Sequence, residues 1–409
     1  MQAGWRVGSL FGIPFLIDPL WFFIVALVTF EFGSGWQTEY SQWGSALAWG
    51  TGLMMALLLF GSVLLHELGH SLVARSQGIK VNSITLFLFG GIAAIDQESK
   101  TPGEAFQVAI AGPAVSLILF GVLALLVSVL PNPTNPVRVL AEHLAVINLF
   151  LALFNLIPGL PLDGGQILKA AIWKATGNRF KGVHWAARAG QALGWVAVSL
   201  GLASLLGGNY INGIWIALLG WFGIRNANLY DRFTDLQETL VDLKAADAMT
   251  REFRIIDADL TLRQFADEYL LEDARPPIYF AASDGRYRGM VPIDDLRVVE
   301  RSQWETQTLH SILHPLAEIT TVEEKTSLIE IINLIETQQL QRITVLSPAG
   351  AVAGVIDRGD IVRTVAKKLN IQISEADIKR IKEEGSFPPS FQLQAIAKAT
   401  ADSLATQPS

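Results

Sequence analysis

The chain has 409 residues, 51% hydrophobic and 17% charged, with 31 Lys and Arg against 38 Asp and Glu for a net charge of −7. That length suits two or three domains, and the absence of cysteine excludes disulfides and thiolate metal sites, leaving His, Asp and Glu as the available metal ligands. Residues 1–230 carry 11 basic and 9 acidic residues (net +2) whereas 231–409 carry 20 and 29 (net −9), a membrane domain followed by an acidic soluble part that argues against nucleic acid as a partner.

The N-terminus does not read as a cleavable signal peptide, because only Arg6 precedes the first apolar stretch and Pro14 and Asp18 interrupt it. Hydropathy predicts six spanning helices, at about 19–32, 45–74, 104–130, 137–156, 187–206 and 211–226, with residues 9–17 extending the short first one. Arg6, Arg75, Lys80, Lys100, Lys169, Lys174, Arg179, Lys181, Arg188, Arg225 and Arg232 fall on one side of these spans, and Arg138 alone on the other. The positive-inside rule therefore places both termini and the soluble part of an integral, multi-pass protein in the cytoplasm; the expected membrane is the plasma membrane, with an internal membrane as the alternative.

Residues 79–96 are too short to span as a helix. β-Branched and aromatic residues flank Gly90-Gly91, which predicts a membrane-associated β-hairpin. Such a hairpin either dips beside a site and offers its edge to an extended peptide, or lies on the bilayer surface.

The soluble half contains an internal repeat of 65 residues: Gly289-Met-Val-Pro-Ile-Asp-Asp-Leu matches Gly354-Val-Ile-Asp-Arg-Gly-Asp-Ile, and Ile278-Tyr-Phe matches Ile343-Thr-Val. Each unit reads as helix, strand, turn, strand, helix. The expected organisation is a membrane domain over 1–230, a linker over 231–242, repeats over 243–304 and 305–370, and a helix with a mobile tail over 371–409. The tail after Gly385 includes Pro388-Pro389.

The second expected span ends in His66-Glu67-Leu68-Gly69-His70. Ionisable side chains at that depth are expensive and point to function. On a helix, positions i and i+4 lie one above the other, so both imidazoles reach one zinc ion, while Glu67 projects sideways to take a proton from water on the metal. A catalytic zinc site needs a third protein ligand. Asp163, in Asn155-Leu-Ile-Pro-Gly-Leu-Pro-Leu-Asp163-Gly164-Gly165, is the only acid between Glu142 and Asp231, and it follows a Pro- and Gly-broken helix end. It is either that ligand or the cap of the next helix. His143, His184, His310 and His314 read as surface or core histidines.

These residues carry a family resemblance. The chain resembles a site-2 protease, an intramembrane zinc metalloprotease, of the subgroup with tandem CBS domains at the C-terminus. His66-Glu67-Leu-Gly-His70 matches the family HExxH, and Asn155-Leu-Ile-Pro158-Gly-Leu-Pro161-Leu-Asp163-Gly164 matches its second motif. Ala111-Gly112-Pro113-Ala114-Val115-Ser116 resembles its Gly-Pro motif. The resemblance covers about 1–230 for the protease and 243–369 for the CBS pair. It implies a polytopic α-helical membrane domain of six transmembrane helices, with the hairpin, followed by a soluble α/β CBS-domain pair. It also implies one zinc ion on His66, His70 and Asp163, Glu67 as the general base, Asn155 as a residue that binds or polarises the scissile peptide, and Phe89-Gly90-Gly91 in a substrate-facing hairpin.

The implied activity is hydrolysis within transmembrane segments of membrane proteins, such as membrane-tethered regulators, in the lipid bilayer. CBS pairs resemble adenosine-nucleotide modules, and the positions that would hold the ribose are Asp295 and Asp360; the Thr common before such residues is replaced by Pro292 and Asp357. The other reading of the pair is a homodimerisation module without ligand. Two further classes stay open on sequence: a CBS-regulated ion or solute transporter, since broken helices and intramembrane ionisable residues also suit transport, and a catalytically silent binding protein on the same scaffold.

Overall fold

Asp18, expected to interrupt the first apolar stretch, instead starts a helix: its carboxylate accepts from the backbone N–H of Leu20, and Pro19 occupies the first helical position. The computed structural model of the chain describes residues 4–87, 90–130, 132–270, 278–387 and 393–405. It divides into two compact units, residues 1–234 with 405–409, and residues 235–404.

In the first unit two strands, β1 (Trp5–Leu10) and β2 (Ile13–Ile17), precede helices α1 (Pro19–Glu39) and α2 (Gly44–Ser76). Strands β3 (Val81–Phe87) and β4 (Gly90–Ile95) follow, and then helices α3 (Pro102–Val129), α4 (Pro136–Asn155), α5 (Asp163–Thr176) and α6 (Arg179–Leu206). Helix α7 (Tyr210–Asp242) leads onward. The four strands form one sheet in the order β1-β2-β3-β4, with β2 and β3 parallel and the outer pairs antiparallel.

Residues 9–17 are therefore strand, and the expected helical extension through them is wrong. Phe11 and Gly12 both adopt positive φ and close a two-residue hairpin between β1 and β2. The expected hairpin over 79–96 corresponds to β3 and β4. Phe89 lies outside the described residues.

Among the described residues, five helical segments are long and apolar enough to cross a membrane: 19–39, 41–76, 102–129, 136–155 and 179–206. The sixth expected span, 211–226, lies within α7 and is not one of the five. Asn212 and Arg225 bound its apolar run at 213–224, shorter than the roughly 20 residues a spanning helix needs. Glycine brings the long helices together: a Cβ on Gly52 would stand 2.7 Å from the backbone nitrogen of Gly33, so α1 and α2 touch through bare backbone.

The second unit comprises α8 (Ala245–Ala248), β5 (Phe253–Asp257), α9 (Leu262–Phe265), β6 (Ile278–Ser283), β7 (Arg286–Val291), α10 (Ile293–Leu296) and β8 (His314–Pro315), followed by β9 (Thr321–Glu323), α11 (Leu328–Thr337), β10 (Arg342–Leu346), β11 (Val352–Asp357) and α12 (Arg358–Lys368). Helices α13 (Glu375–Glu384) and α14 (Leu393–Ala405) end the chain. Two sheets result, β5-β6-β7-β8 and β11-β10-β9. The 65-residue repeat is visible in them: β6–β7 and β10–β11 are antiparallel pairs, each followed by a helix. The matched glycines share a role, since a Cβ on Gly289 would strike the backbone of His314 and one on Gly354 would stand 2.8 Å from the Thr250 carbonyl oxygen.

Each repeat has its own core, one around Leu262, Phe265 and Tyr279, the other around Leu328, Ile332, Ile343 and Val362. The tail expected to be mobile after Gly385 contains α14, whose Leu393, Ile396 and Ala397 are buried in the second core. Pro388-Pro389 lies outside the described residues.

Candidate metal centre

The last three turns of α2 hold His66 and His70 on one face, both buried. Each imidazole is held from behind through Nδ1. That of His70 donates to the Val108 carbonyl oxygen at 2.7 Å, and that of His66 lies 2.9 Å from the Ser116 hydroxyl. A carbonyl can only accept, so His70 carries its proton on Nδ1 and turns the Nε2 lone pair inward. The two Nε2 atoms stand 3.3 Å apart, and Asp163 Oδ2 completes the triangle at 3.1 Å from His66 and 3.4 Å from His70. One ligand atom from each of the three residues lies within 4.8 Å of the others.

Local sequence explains how Asp163 arrives there. Helix α4 ends at Asn155, and residues 156–162 turn back through a cis Leu160–Pro161 bond to begin α5 at Asp163. Cβ atoms on Gly164 or Gly165 would overlap the backbone of residues 156–160, so the turn stacks directly on the new helix. The sequence left Asp163 as either ligand or cap. It is the first helical residue, the cap position belongs to Leu162, and its carboxylate meets the histidines.

The centre fits a divalent cation. Two ring nitrogens and a carboxylate oxygen that converge in a buried space form a donor set suited to a shared positive charge. The neighbouring helix leaves room: a Cβ on Gly112 would overlap His70 Nε2 and stand 2.6 Å from His66 Nε2. Gly69, between the two histidines, serves the same approach from α2, since its Cβ would come 3.0 Å from the Ala111 carbonyl oxygen.

Glu67 is partly buried beside β4, where a Cβ on Gly91 would stand 2.6 Å from Glu67 Cγ. Asn155, half-buried at the end of α4, is not part of the hydrogen bonds that join His66, His70 and Asp163. Sequence reasoning missed the orienting partners Ser116 and Val108. The four-residue spacing from Gly112 to Ser116, one helical turn on one face, was the available signal. It also missed Asn148, fully buried on α4, whose amide donates to the Ser62 hydroxyl at 3.0 Å, one turn before His66.

The remaining histidines lie away from the centre. His143 packs against Phe32 and Trp36, and His184 Nδ1 lies 2.6 Å from Asp231. His310 and His314 pair with Asp259 and Asp295. In the second unit the two expected nucleotide residues differ. Asp295 is partly exposed, 2.7 Å from His314 Nε2. Asp360 is buried in the first turn of α12 and accepts from Lys382 Nζ of α13 at 2.7 Å; Asp357 accepts from the same ammonium at 3.1 Å.

The chain is similar to known proteins in both of its parts. Residues 54–143 and 132–197 match Peptidase family M50, and residues 312–367 match the CBS domain. A relative from Synechocystis sp., named provisionally as a zinc metalloprotease, is 43% identical over 366 residues, covering 89% of this chain and 96% of the relative. Rip3 of Mycobacterium tuberculosis, named in the same way, is 33% identical over 356 residues, covering 86% of this chain and 90% of Rip3. Among solved structures, the site-2 protease from Methanocaldococcus jannaschii matches at 31% identity with a TM-score of 0.39, covering 56% of this chain and 95% of that one.

Proposed function

We propose that this chain, which belongs to peptidase family M50 and is a zinc metalloprotease of the site-2 protease type, cuts within transmembrane segments using His66, His70 and Asp163 to hold one zinc ion and Glu67 as its general base. The observation that carries the residue assignment is the convergence of two inward-facing Nε2 atoms and one carboxylate oxygen within 4.8 Å. When bound, zinc supplies a Lewis acid that lowers the pKa of water and polarises a carbonyl. A transporter has no use for a base set between two such ligands.

Each residue then has a task. His66 and His70 are held by Ser116 and Val108 with their Nε2 atoms inward. Asp163 closes the ligand set from a separate helix. Glu67 takes the proton of the attacking water and delivers it to the leaving nitrogen. Asn155 is assigned to the peptide, as a donor to the oxygen on which charge develops.

A substrate helix hides its peptide bonds in its own hydrogen bonds and must unwind before cleavage. Strand β4 suits that step. It is the terminal strand of its sheet, and its Gly91 lies against Glu67, so an extended segment paired along β4 brings its backbone to the base. In this reading the hairpin is membrane-associated and the substrate is a transmembrane protein such as a membrane-tethered regulator. Exposed Ile118, Val122 and Leu125 on α3 suit contact with lipid. The distribution of basic residues supports a cytoplasmic side for both termini and the CBS pair, at the plasma membrane or an internal membrane.

Regulation by an adenine nucleotide is assigned to Asp295, because Asp360 is already paired with Lys382. A homodimer through the CBS pair is compatible with this.

The test uses purified protein and a membrane substrate. Wild-type protein retains one zinc per chain and cleaves; Glu67→Gln retains zinc and does not cleave; His70→Ala loses zinc. Undiminished proteolysis by Glu67→Gln would overturn the assignment.

A further inference from the structure

A second cluster of charges lies outside the metal centre. Glu98, three residues beyond the end of β4, accepts from Lys169 Nζ at 3.1 Å and from an Arg179 guanidinium nitrogen at 2.9 Å, both through Oε2. Lys169 and Arg179 are buried, whereas half of the Glu98 side chain faces solvent. Two buried cations thus share one carboxylate, and the Lys169 ammonium cannot move away without parting from Glu98.

The three residues come from three elements. Glu98 lies on the link between β4 and α3. Lys169 belongs to α5, whose first residue is Asp163, and Arg179 opens α6. A Cβ on Gly182 of α6 would stand 2.6 Å from the Lys169 carbonyl oxygen, so α6 packs closely against α5 at this point.

We propose that Lys169 is a positioning residue for the metal centre: its pairing with Glu98 fixes the roll of α5 and so holds Asp163 against His66 and His70. The inference rests on the zinc assignment above. Its physical basis is helical geometry. Lys169 follows Asp163 by six residues, which places it roughly 9 Å along the axis and about 120° around it. A helix held at one point of its circumference can roll. A second tether about a third of a turn away prevents that. Asp163 is the one ligand that does not share a helix with the other two, so its carboxylate moves relative to them when α5 rolls. The other end of the tether lies on the segment that joins β4, which rests on Glu67, to α3, which supplies Val108, Gly112 and Ser116. One ion pair therefore links the third ligand to the elements that orient the first two.

The experiment compares Lys169→Met with Arg179→Met in the full chain. Each variant leaves Glu98 one cation, so neither strips the cluster entirely. Zinc affinity is read by competition with a chelator, and kcat and KM by cleavage of a membrane substrate. The expected result for Lys169→Met is zinc affinity weaker by about tenfold or more, with kcat reduced and KM little changed, and with Lys169→Arg restoring both. Arg179→Met, which keeps the Lys169–Glu98 pair, holds zinc as wild type does. Lys169→Met with wild-type zinc affinity and kcat overturns the inference and leaves the zinc assignment standing. An equal loss in both variants also overturns it, since that marks a general loss of packing. Wild-type zinc affinity in His70→Ala would overturn the assignment itself, and the inference with it.

Discussion

The hydroxyl oxygen of Ser116 lies 2.9 Å from Nδ1 of His66, a buried contact between residues 50 positions apart. It holds the rotation of the ring and turns Nε2 toward Asp163. Ser116→Ala removes that partner and nothing that touches substrate. Zinc affinity is expected to fall by about 10- to 100-fold, with helical content unchanged, as read by chelator competition and circular dichroism. Ser116→Thr, which keeps a hydroxyl, is the control. Equal zinc affinity in Ser116→Ala and wild type would show that the contact does not orient the ligand.

Gly112 makes a sharper test of the space between the helices. Its missing side chain is what lets both Nε2 atoms face α3, because an added Cβ overlaps one of them. Gly112→Ala is therefore expected to displace at least one imidazole and to lose most bound zinc, while its effect on the fold stays small because alanine favours a helix over glycine by about 1 kcal/mol. Metal content by mass spectrometry of the folded protein checks this. A fully loaded Gly112→Ala variant would contradict the described approach of α3.

How much of this was legible in the sequence depends on what kind of relation carried it. His66, Glu67 and His70 were readable because helical spacing is local. Asp163 was readable as a candidate because it stands alone in a long acid-free stretch, but only the fold shows that Leu162 takes the cap position and that the Asp163 carboxylate meets the histidines. The β1–β2 hairpin was missed because its turn, Phe11-Gly12, lacks the usual Asn or Asp, and its apolar strands look like the start of a span. The 65-residue repeat predicted the paired strands of the second unit through matched Gly289 and Gly354. It gave no hint of Lys382, which lies beyond both repeat units and reaches Asp360 only through tertiary packing.

Acid should weaken the Glu98 cluster in a defined window. The charge of Lys169 beside it is the main cause that lowers the Glu98 carboxyl from 4.5 to about 2; burial opposes this and Arg179 adds to it. A depressed pKa in the folded state means the unfolded chain holds the proton more tightly. The pair's stabilisation is thus complete above about pH 4.5 and is lost as pH falls toward about 2. Half of the Glu98 side chain is solvated, so screening limits the contribution to about 1 kcal/mol. The gap in melting temperature between wild type and Glu98→Gln should be steady near neutrality and shrink across that acid range. A gap that stays constant down to about pH 2 would rule out a depressed pKa.

The second unit allows the same reasoning at a carboxylate that is fully enclosed. The Asp360 side chain is 1% exposed, and the ammonium that balances it comes from α13, with the Lys382 stem lying over Gly359, where a Cβ would stand 3.0 Å from its Cε. Removing either partner breaks the shortest pairing of the other, leaving Lys382 with Asp357 and Asp360 with Arg363, so Lys382→Met and Asp360→Asn should each lower the melting temperature. The double variant should lose less than the sum, by a coupling of about 1–3 kcal/mol. The pairing also bears on ligands. A nucleotide that reaches Asp360 must expel Lys382, whereas Asp295 is 41% exposed and pairs with a half-exposed His314. Calorimetric titration of the full chain with AMP or ATP should therefore show binding that Asp295→Ala removes and Asp360→Asn retains. Binding lost only in Asp360→Asn would mean that α13 gives way to the nucleotide, and that the site lies at the second repeat.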